Sequence, residues 1–340
     1  MRQMARMRRG AMTAALLAAA VTAPLMTGCT SGGSTSDDGR GHSQRPSVSP
    51  SPNPSQVGEE KPTPSPTAAA GSVLAVKIDN VHAARPQTGL EAADIVYAEQ
   101  VEGGLSRLMA VYASKLPKVI GPVRSARESD LELLRQFDEP TLAFSGAQQK
   151  LLPLIDRAPL HAYSPDTTSG DAYYRGTGKA SPHNLFLRPQ RLTPTAPGSA
   201  ALTTGFHFGA APTSGSPQTS QTVRFPAARF TFTWSASRKR WLVDMDGTPT
   251  VTTDGKTVAP ATVVVQYVKV RESKFHDVLG NNTPYTETVG SGRAKVLRDG
   301  RAFNVNWARP SAKDGTEFTT ADGAPMNFAK GQVWVVFAKA

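Results

Sequence analysis

The side chains best suited to chemistry lie between residues 77 and 184, and most of them are cationic. Arg124 and Arg127 bracket Ser125-Ala126 just ahead of a predicted helix, and Ser125 and Glu128 have capping-box spacing. Free amide groups at a helix start favour anions, and two guanidiniums beside them would add a bidentate clamp. Arg127 in the first turn opposes the helix dipole at a cost of about 0.3–1 kcal/mol. Two surface arginines paired with Glu128 and Asp130 are the plainer account of the same residues. Lys77, Arg85 and Arg107 add positive charge near predicted strand ends, and His183 with Asn184 lies in a basic, aromatic loop over 173–185. As a general acid or base, His183 would need a neighbour brought from elsewhere in the chain.

Four acids fall near predicted strand ends: Asp79 (followed by Asn80), Asp94, Glu99 and Glu102. Together they could hold a divalent cation, or one could serve as a base. Capping, turn formation and pairing with Lys77 or Arg107 account for them more simply. Familiar catalytic motifs are missing. Gly176-Thr177-Gly178-Lys179 resembles the end of a phosphate-binding loop, but Tyr173 and Ala180 replace residues that loop requires. There is no Gly-x-Ser-x-Gly, no His-Glu-x-x-His, and no zinc-ligand spacing among six histidines. No cofactor and no metal are expected. Cys29 is the one cysteine, so no disulfide can form within the chain.

Alternation supplies the strands that must position these groups. Over 73–80, Leu74, Val76 and Ile78 share one face, Lys77 and Asp79 the other. A second strand over 94–102, a two-residue Gly103-Gly104 turn and a return over 105–112 would set Gln100 opposite Arg107, with a Glu102–Arg107 diagonal contact. Helices are predicted over 126–137 and 147–156, with a short strand over 141–145 between them. That mixture suggests an α/β layered domain over 71–192. Residues 193–221, rich in Pro, Ser, Thr and Gly, read as a connector. From 222 to 340 the pattern is nearly all strand, over 229–235, 240–245, 262–270, 294–297, 303–307 and 333–337, punctuated by Asp-Gly turns. A mostly antiparallel β domain is expected there, and the fold class is therefore α+β.

Ahead of these segments, residues 1–28 carry a basic start, an apolar run over 11–23, and Leu25-Met26-Thr27-Gly28 before Cys29. This resembles a bacterial lipoprotein signal with lipidation at Cys29. Two or more acyl chains there would anchor stably, at about 0.8 kcal/mol per buried CH₂. Residues 29–70 lack aromatics, abound in Ser, Thr and Pro, and are expected to be a disordered linker. About 40 such residues would reach roughly 35 Å as coil and roughly 125 Å as polyproline II. Loss of the four leader arginines leaves 34 basic against 27 acidic residues, a surface that prefers polyanions. With no basic helix and no reader motif, nucleic acid is not an expected partner.

Several segments, taken in order, carry a family resemblance. They are Val76-Lys77-Ile78-Asp79-Asn80, Ala84-Arg85-Pro86-Gln87, Ala93-Asp94-Ile95-Val96-Tyr97, Val101 to Arg107, Gly121 to Arg127, Pro182-His183-Asn184-Leu185, and Val289 to Ala294 with Asp299-Gly300 and Trp307. This chain resembles the YerB-like lipoproteins, with Ala98 standing where that family often has an acid. The resemblance implies a membrane-anchored, extracytoplasmic envelope protein of two domains and supplies no activity.

The expected function is a binding or regulatory module of the cell envelope. Lys77, Arg85, Arg107, Arg124, Arg127 and His183, with Asp79, Asn80, Glu102 and Asn184, would surround an anionic wall polymer or a partner protein's acidic surface. The alternatives are an enzyme acting on phosphorylated or glycan substrates with metal or carboxylate assistance, and a purely structural interaction protein.

Overall fold

The computed structural model describes residues 71–277 and 280–340. The signal segment, Cys29 and the linker expected over 29–70 lie outside the described residues. The first half supplies β1 (Leu74–Asp79), β2 (Ile95–Gln100), β3 (Ser106–Tyr112), α1 (Glu128–Leu134), β4 (Thr141–Ala143), α2 (Leu152–Asp156), β5 (His161–Tyr163), β6 (Tyr173–Arg175) and β7 (Leu185–Leu187). The second half begins with β8 (Ser216–Pro217), β9 (Ser220–Phe225), β10 (Ala228–Ser235), β11 (Arg240–Met245) and β12 (Thr248–Pro249). It continues with β13 (Thr262–Val268), β14 (Val270–His276), β15 (Asn282–Thr286), β16 (Gly290–Arg298), β17 (Arg301–Arg309), β18 (Glu317–Thr319) and β19 (Val333–Lys339).

Strands dominate and the helices are short, so α/β layering is weaker than the sequence suggested. The helix expected over 126–137 spans only Glu128–Leu134, and the one expected over 147–156 only Leu152–Asp156.

One sheet runs through both halves in the order β18-β17-β16-β13-β19-β2-β3-β1-β4-β5, with β8 added beside β17. The join is β19, which lies parallel to β13 on one side and to β2 on the other. Its run Val333-Trp334-Val335-Val336-Phe337 is apolar without alternation, as a strand buried on both faces requires. Trp334 is fully buried and meets Phe230 and Phe232 edge-on, at centroid distances of 6.1 and 6.0 Å. Those rings belong to a second sheet, β12-β11-β10-β9, which packs face to face on the first. On the opposite face, α1 buries Leu133 and Leu134 against Ala75, Tyr97, Met109 and Val111.

The β2–β3 hairpin differs from the sequence reading by one residue. Glu102, Gly103 and Gly104 form a three-residue loop in which both glycines take positive φ, 67° and 71°. Val101 N–H then bonds Leu105 O, and Glu99, not Gln100, stands opposite Arg107. A one-residue slip exchanges the faces of a strand. Glu99 therefore joins Lys77, Asp79 and Arg107 on the α1 side of the sheet, whereas Leu108 turns to the other core.

Candidate functional site

The charged residues gather where β1 and the β2–β3 hairpin end and α1 begins. The innermost is Lys77, which has no exposed surface. Its ammonium pairs with Glu99 and, at 2.7 Å, with Asp130, while Ser129 Oγ donates to the other Glu99 oxygen at 3.0 Å. Burial, reinforced by neighbouring Asp130, pushes the Glu99 carboxyl up despite Lys77. Asp130 also accepts the Arg127 backbone N–H at 2.7 Å, which caps α1 with the helix's own carboxylate. The anion site expected at that helix start is thus already filled. Lys77 is an internal counter-ion out of reach of solvent, a correction to its expected place around a ligand.

The outer layer is built on Asp79, itself 1% exposed at the end of β1. One of its oxygens, Oδ2, meets His183 Nδ1 at 2.8 Å and Arg124 Nε at 3.2 Å. Backbone pairing explains why residues 104 positions apart converge here. The 121–124 segment threads between β1 and β7: Asp79 N–H bonds Pro122 O, Arg124 N–H bonds Lys77 O, and Val123 N–H bonds Leu185 O. Gly121 makes that passage feasible. Its φ is 154°, and a Cβ there would lie 2.9 Å from Leu185 O and 2.8 Å from Phe186.

Arg107, opposite both Asp79 and Glu99, donates to Ser125 O at 3.1 Å. Among the described residues no carboxylate comes within 4 Å of it. Burial and the neighbouring Arg127 and Arg124 push its guanidinium down to about 10, so it stays cationic at neutral pH but is poorly compensated. Arg127 is fully engaged instead, by a two-point pair with Glu102 at 2.6 Å on each side. The expected Glu102–Arg107 contact is therefore replaced by Glu102–Arg127, with Thr283 Oγ1 donating to the same carboxylate at 2.5 Å.

The remaining expected residues brace this centre. Asn80 donates to Ser106 Oγ and accepts from Arg85 and Gln87. Arg85 pairs with Asp246 at 2.7 Å and donates to Met245 O. Asn184 holds Arg175 and the Gly176 carbonyl. Asp94 stands apart, accepting from Ala113 and Ser114 N–H at the other end of the hairpin. The acids are therefore dispersed onto separate partners, and among the described residues no group of three or more His, Cys, Asp or Glu is arranged to hold a metal ion. Ser129, Asp246 and Thr283 were not foreseen as members of the network, and Asp130 was foreseen only as a partner of surface arginines. Of these only Asp130 carried a signal, as the third residue of a helix beginning after Arg127.

Lys77, Arg107, Arg124 and Arg127 balance Asp79, Glu99, Glu102 and Asp130 in number, but not in depth. The carboxylates are 0–8% exposed, whereas the Arg124, His183 and Arg127 side chains are 25%, 22% and 12% exposed. The cluster presents positive charge outward over a buried negative layer.

Its stability has a definite pH dependence. Burial alone would raise the Glu102 carboxyl, but the hydrogen bonds and charge of Arg127, with Thr283, outweigh it and hold Glu102 below its ordinary 4.5. A depressed carboxylate stabilises the fold above its unfolded value and loses that contribution as pH falls through the folded one. Urea midpoints should therefore fall below about pH 4.5, and Glu102→Gln should flatten that limb; an unaltered acid limb would refute the assignment.

Comparison with known proteins agrees with this architecture. Residues 60–202 match the N-terminal domain, and residues 221–335 the C-terminal domain, of a protein family described as of unknown function, DUF3048. The chain is 24% identical over 274 residues to "Putative lipoprotein YerB" of Bacillus subtilis (strain 168), covering 77% of this chain and 80% of that protein. The crystal structure of the YerB protein from Bacillus subtilis superposes with a TM-score of 0.66 at 20% identity, over 79% of this chain and 91% of that one, which shows a shared fold. With both domain models matched in order along one continuous sheet, the chain belongs to the DUF3048 family of YerB-like proteins.

Proposed function

We propose that this chain is a lipoprotein anchored through Cys29 on the outer face of the cell membrane, and that its Asp79 centre binds an anionic ligand. The lipoprotein-type signal and the name of the YerB relative support the anchor. No helix among the described residues is long and apolar enough to cross a membrane. The observation that carries the binding reading is the layering. Arg124 and His183 are held outermost by Asp79, and Arg107 beside them has, among the described residues, only a backbone carbonyl as partner. An arriving anion would supply the missing charge and accept from fixed donors.

Isothermal titration calorimetry of the full chain against inorganic pyrophosphate tests this. Saturable binding that weakens with salt and loses at least about tenfold in Arg124→Ala is expected, the worth of one charge-assisted hydrogen bond. Affinity unchanged by Arg124→Ala would overturn it. Arg127 is a poor test residue, because its removal strands Glu102.

The Asp79–His183 contact favours a second reading, proton transfer. Asp79 receiving the Nδ1–H would fix the tautomer that leaves Nε2 free to accept a proton. Phosphodiester turnover lost in His183→Gln, with pyrophosphate affinity retained, would favour it.

A further inference from the structure

A second cationic feature lies away from the Asp79 centre, on the face of the main sheet that the β9–β12 sheet covers only in part. The cover extends as far as Gln221 of β9, whose Oε1 accepts from Lys295 Nζ at 3.2 Å. Beyond it the face opens into a groove of about 990 Å³. Register sets its floor. Ser291, Arg293 and Lys295 of β16 stand opposite Ala308, Asn306 and Asn304 of β17, and all six point the same way. Lys269, just past β13, lines the groove as well.

Three observations define what would fit. First, among the described residues Lys269, Arg293 and Lys295 have no carboxylate within 4 Å, and Glu287 at the rim is turned to Arg271 at 2.9 Å. Cations left without carboxylate partners along a groove raise the local concentration of anions. Second, same-face residues two apart on a strand are about 7 Å apart, and neighbouring strands about 4.8 Å. Arg293 and Lys295 thus repeat at the spacing of charges along a linear chain, in line with the Ser291 hydroxyl and beside the Asn304 and Asn306 amides, which suit hydroxyl groups. Third, the aromatic side chain on this face of the groove is Tyr267, half-buried and packed against the core beside it. Trp307 turns to the opposite face, where it is buried and donates to Tyr267 O at 3.0 Å. Base stacking, the main source of affinity for single-stranded nucleic acid, needs successive open rings, and among the described residues this face offers one half-buried ring.

We infer that this groove binds a linear, hydroxyl-bearing polyanion, of the phosphodiester-linked polyol type, along β16 and β17. The site is separate from the Asp79 centre and does not depend on that reading.

The test is titration of the full chain with an oligo(glycerol phosphate), beside neutral dextran, inorganic pyrophosphate and oligo(dT). Binding of the oligo(glycerol phosphate) should weaken with salt, fall at least about tenfold in Arg293→Gln/Lys295→Gln, and persist in Arg124→Ala. Lys269→Gln, exposed and outside the strands, should lower affinity about threefold and guards against a folding defect in the double variant. Absence of binding would overturn the inference, as would equal affinity for dextran or oligo(dT). Binding abolished by Arg124→Ala but not by the groove variants would assign the polymer to the Asp79 centre, which refutes this proposal and leaves the earlier one standing.

Discussion

Lys77→Met should destabilise the fold by about 3–5 kcal/mol at neutral pH, the usual cost of stranding buried charge. The substitution roughly keeps volume, so packing contributes little. What it removes is the one cation between Glu99 and Asp130, both of which are sealed from water. Glu99, already raised by burial, would then face Asp130 with nothing between them. A carboxylate raised in the folded state imposes its penalty as pH climbs past its unfolded value, and the penalty vanishes on acidification. The deficit should thus grow as pH rises above 4.5 and shrink as pH falls towards it. Lys77→Met/Glu99→Gln should recover part of the loss. Chemical denaturation of the three chains across pH 5 to 8 measures this; a deficit under about 1 kcal/mol, or one independent of pH, would show that the triad is not held as described.

Arg309→Leu should be nearly as damaging, by about 3 kcal/mol or more. Arg309 is fully buried at the end of β17 and, among the described residues, has no carboxylate partner. It donates to Asp314 O at 2.9 Å, Thr288 Oγ1 at 2.8 Å, Ala312 O at 2.6 Å, and to Glu132 and Leu133 O at 2.9 and 3.3 Å. The last two are carbonyls of the final turn of α1, which have no partner inside the helix. Arg309 therefore ties the second half of the chain to the helix that covers the charged centre. Lysine cannot substitute, because a single ammonium cannot reach five acceptors arranged around a planar fork. Thermal melts should rank wild type well above Arg309→Lys, with Arg309→Leu lowest; wild-type stability for either variant would exclude this role.

The sequence revealed the strands whose pattern is strong and concealed those whose role depends on partners. Leu74–Asp79, Arg240–Met245 and Val333–Lys339 were legible from alternation or unbroken apolarity. β9 was hidden in a segment rich in Ser, Thr and Pro, and β14–β15 in short polar runs, because neighbours and not composition make them strands. The hairpin register failed at Gly103-Gly104, since two glycines permit two- and three-residue turns alike. That slip concealed the Lys77–Glu99–Asp130 triad. Nothing local distinguishes a lysine on an alternating strand that faces water from one that faces two acids, the more distant of them 53 residues away. The convergence of Asp79, Arg107, Arg124 and His183 was anticipated as a set of residue types near element ends. Their actual contacts depend on the 121–124 segment pairing with both β1 and β7.

The most direct test of the Asp79 centre is magnetic resonance of isotope-labelled histidine in the full chain during titration with inorganic pyrophosphate. The account predicts a saturable shift of the His183 ring nitrogens, abolished by Arg124→Ala, while His82, His161 and His207 stay unmoved. Silence at His183 under saturating pyrophosphate, or an equal drift of all the histidines, would contradict it.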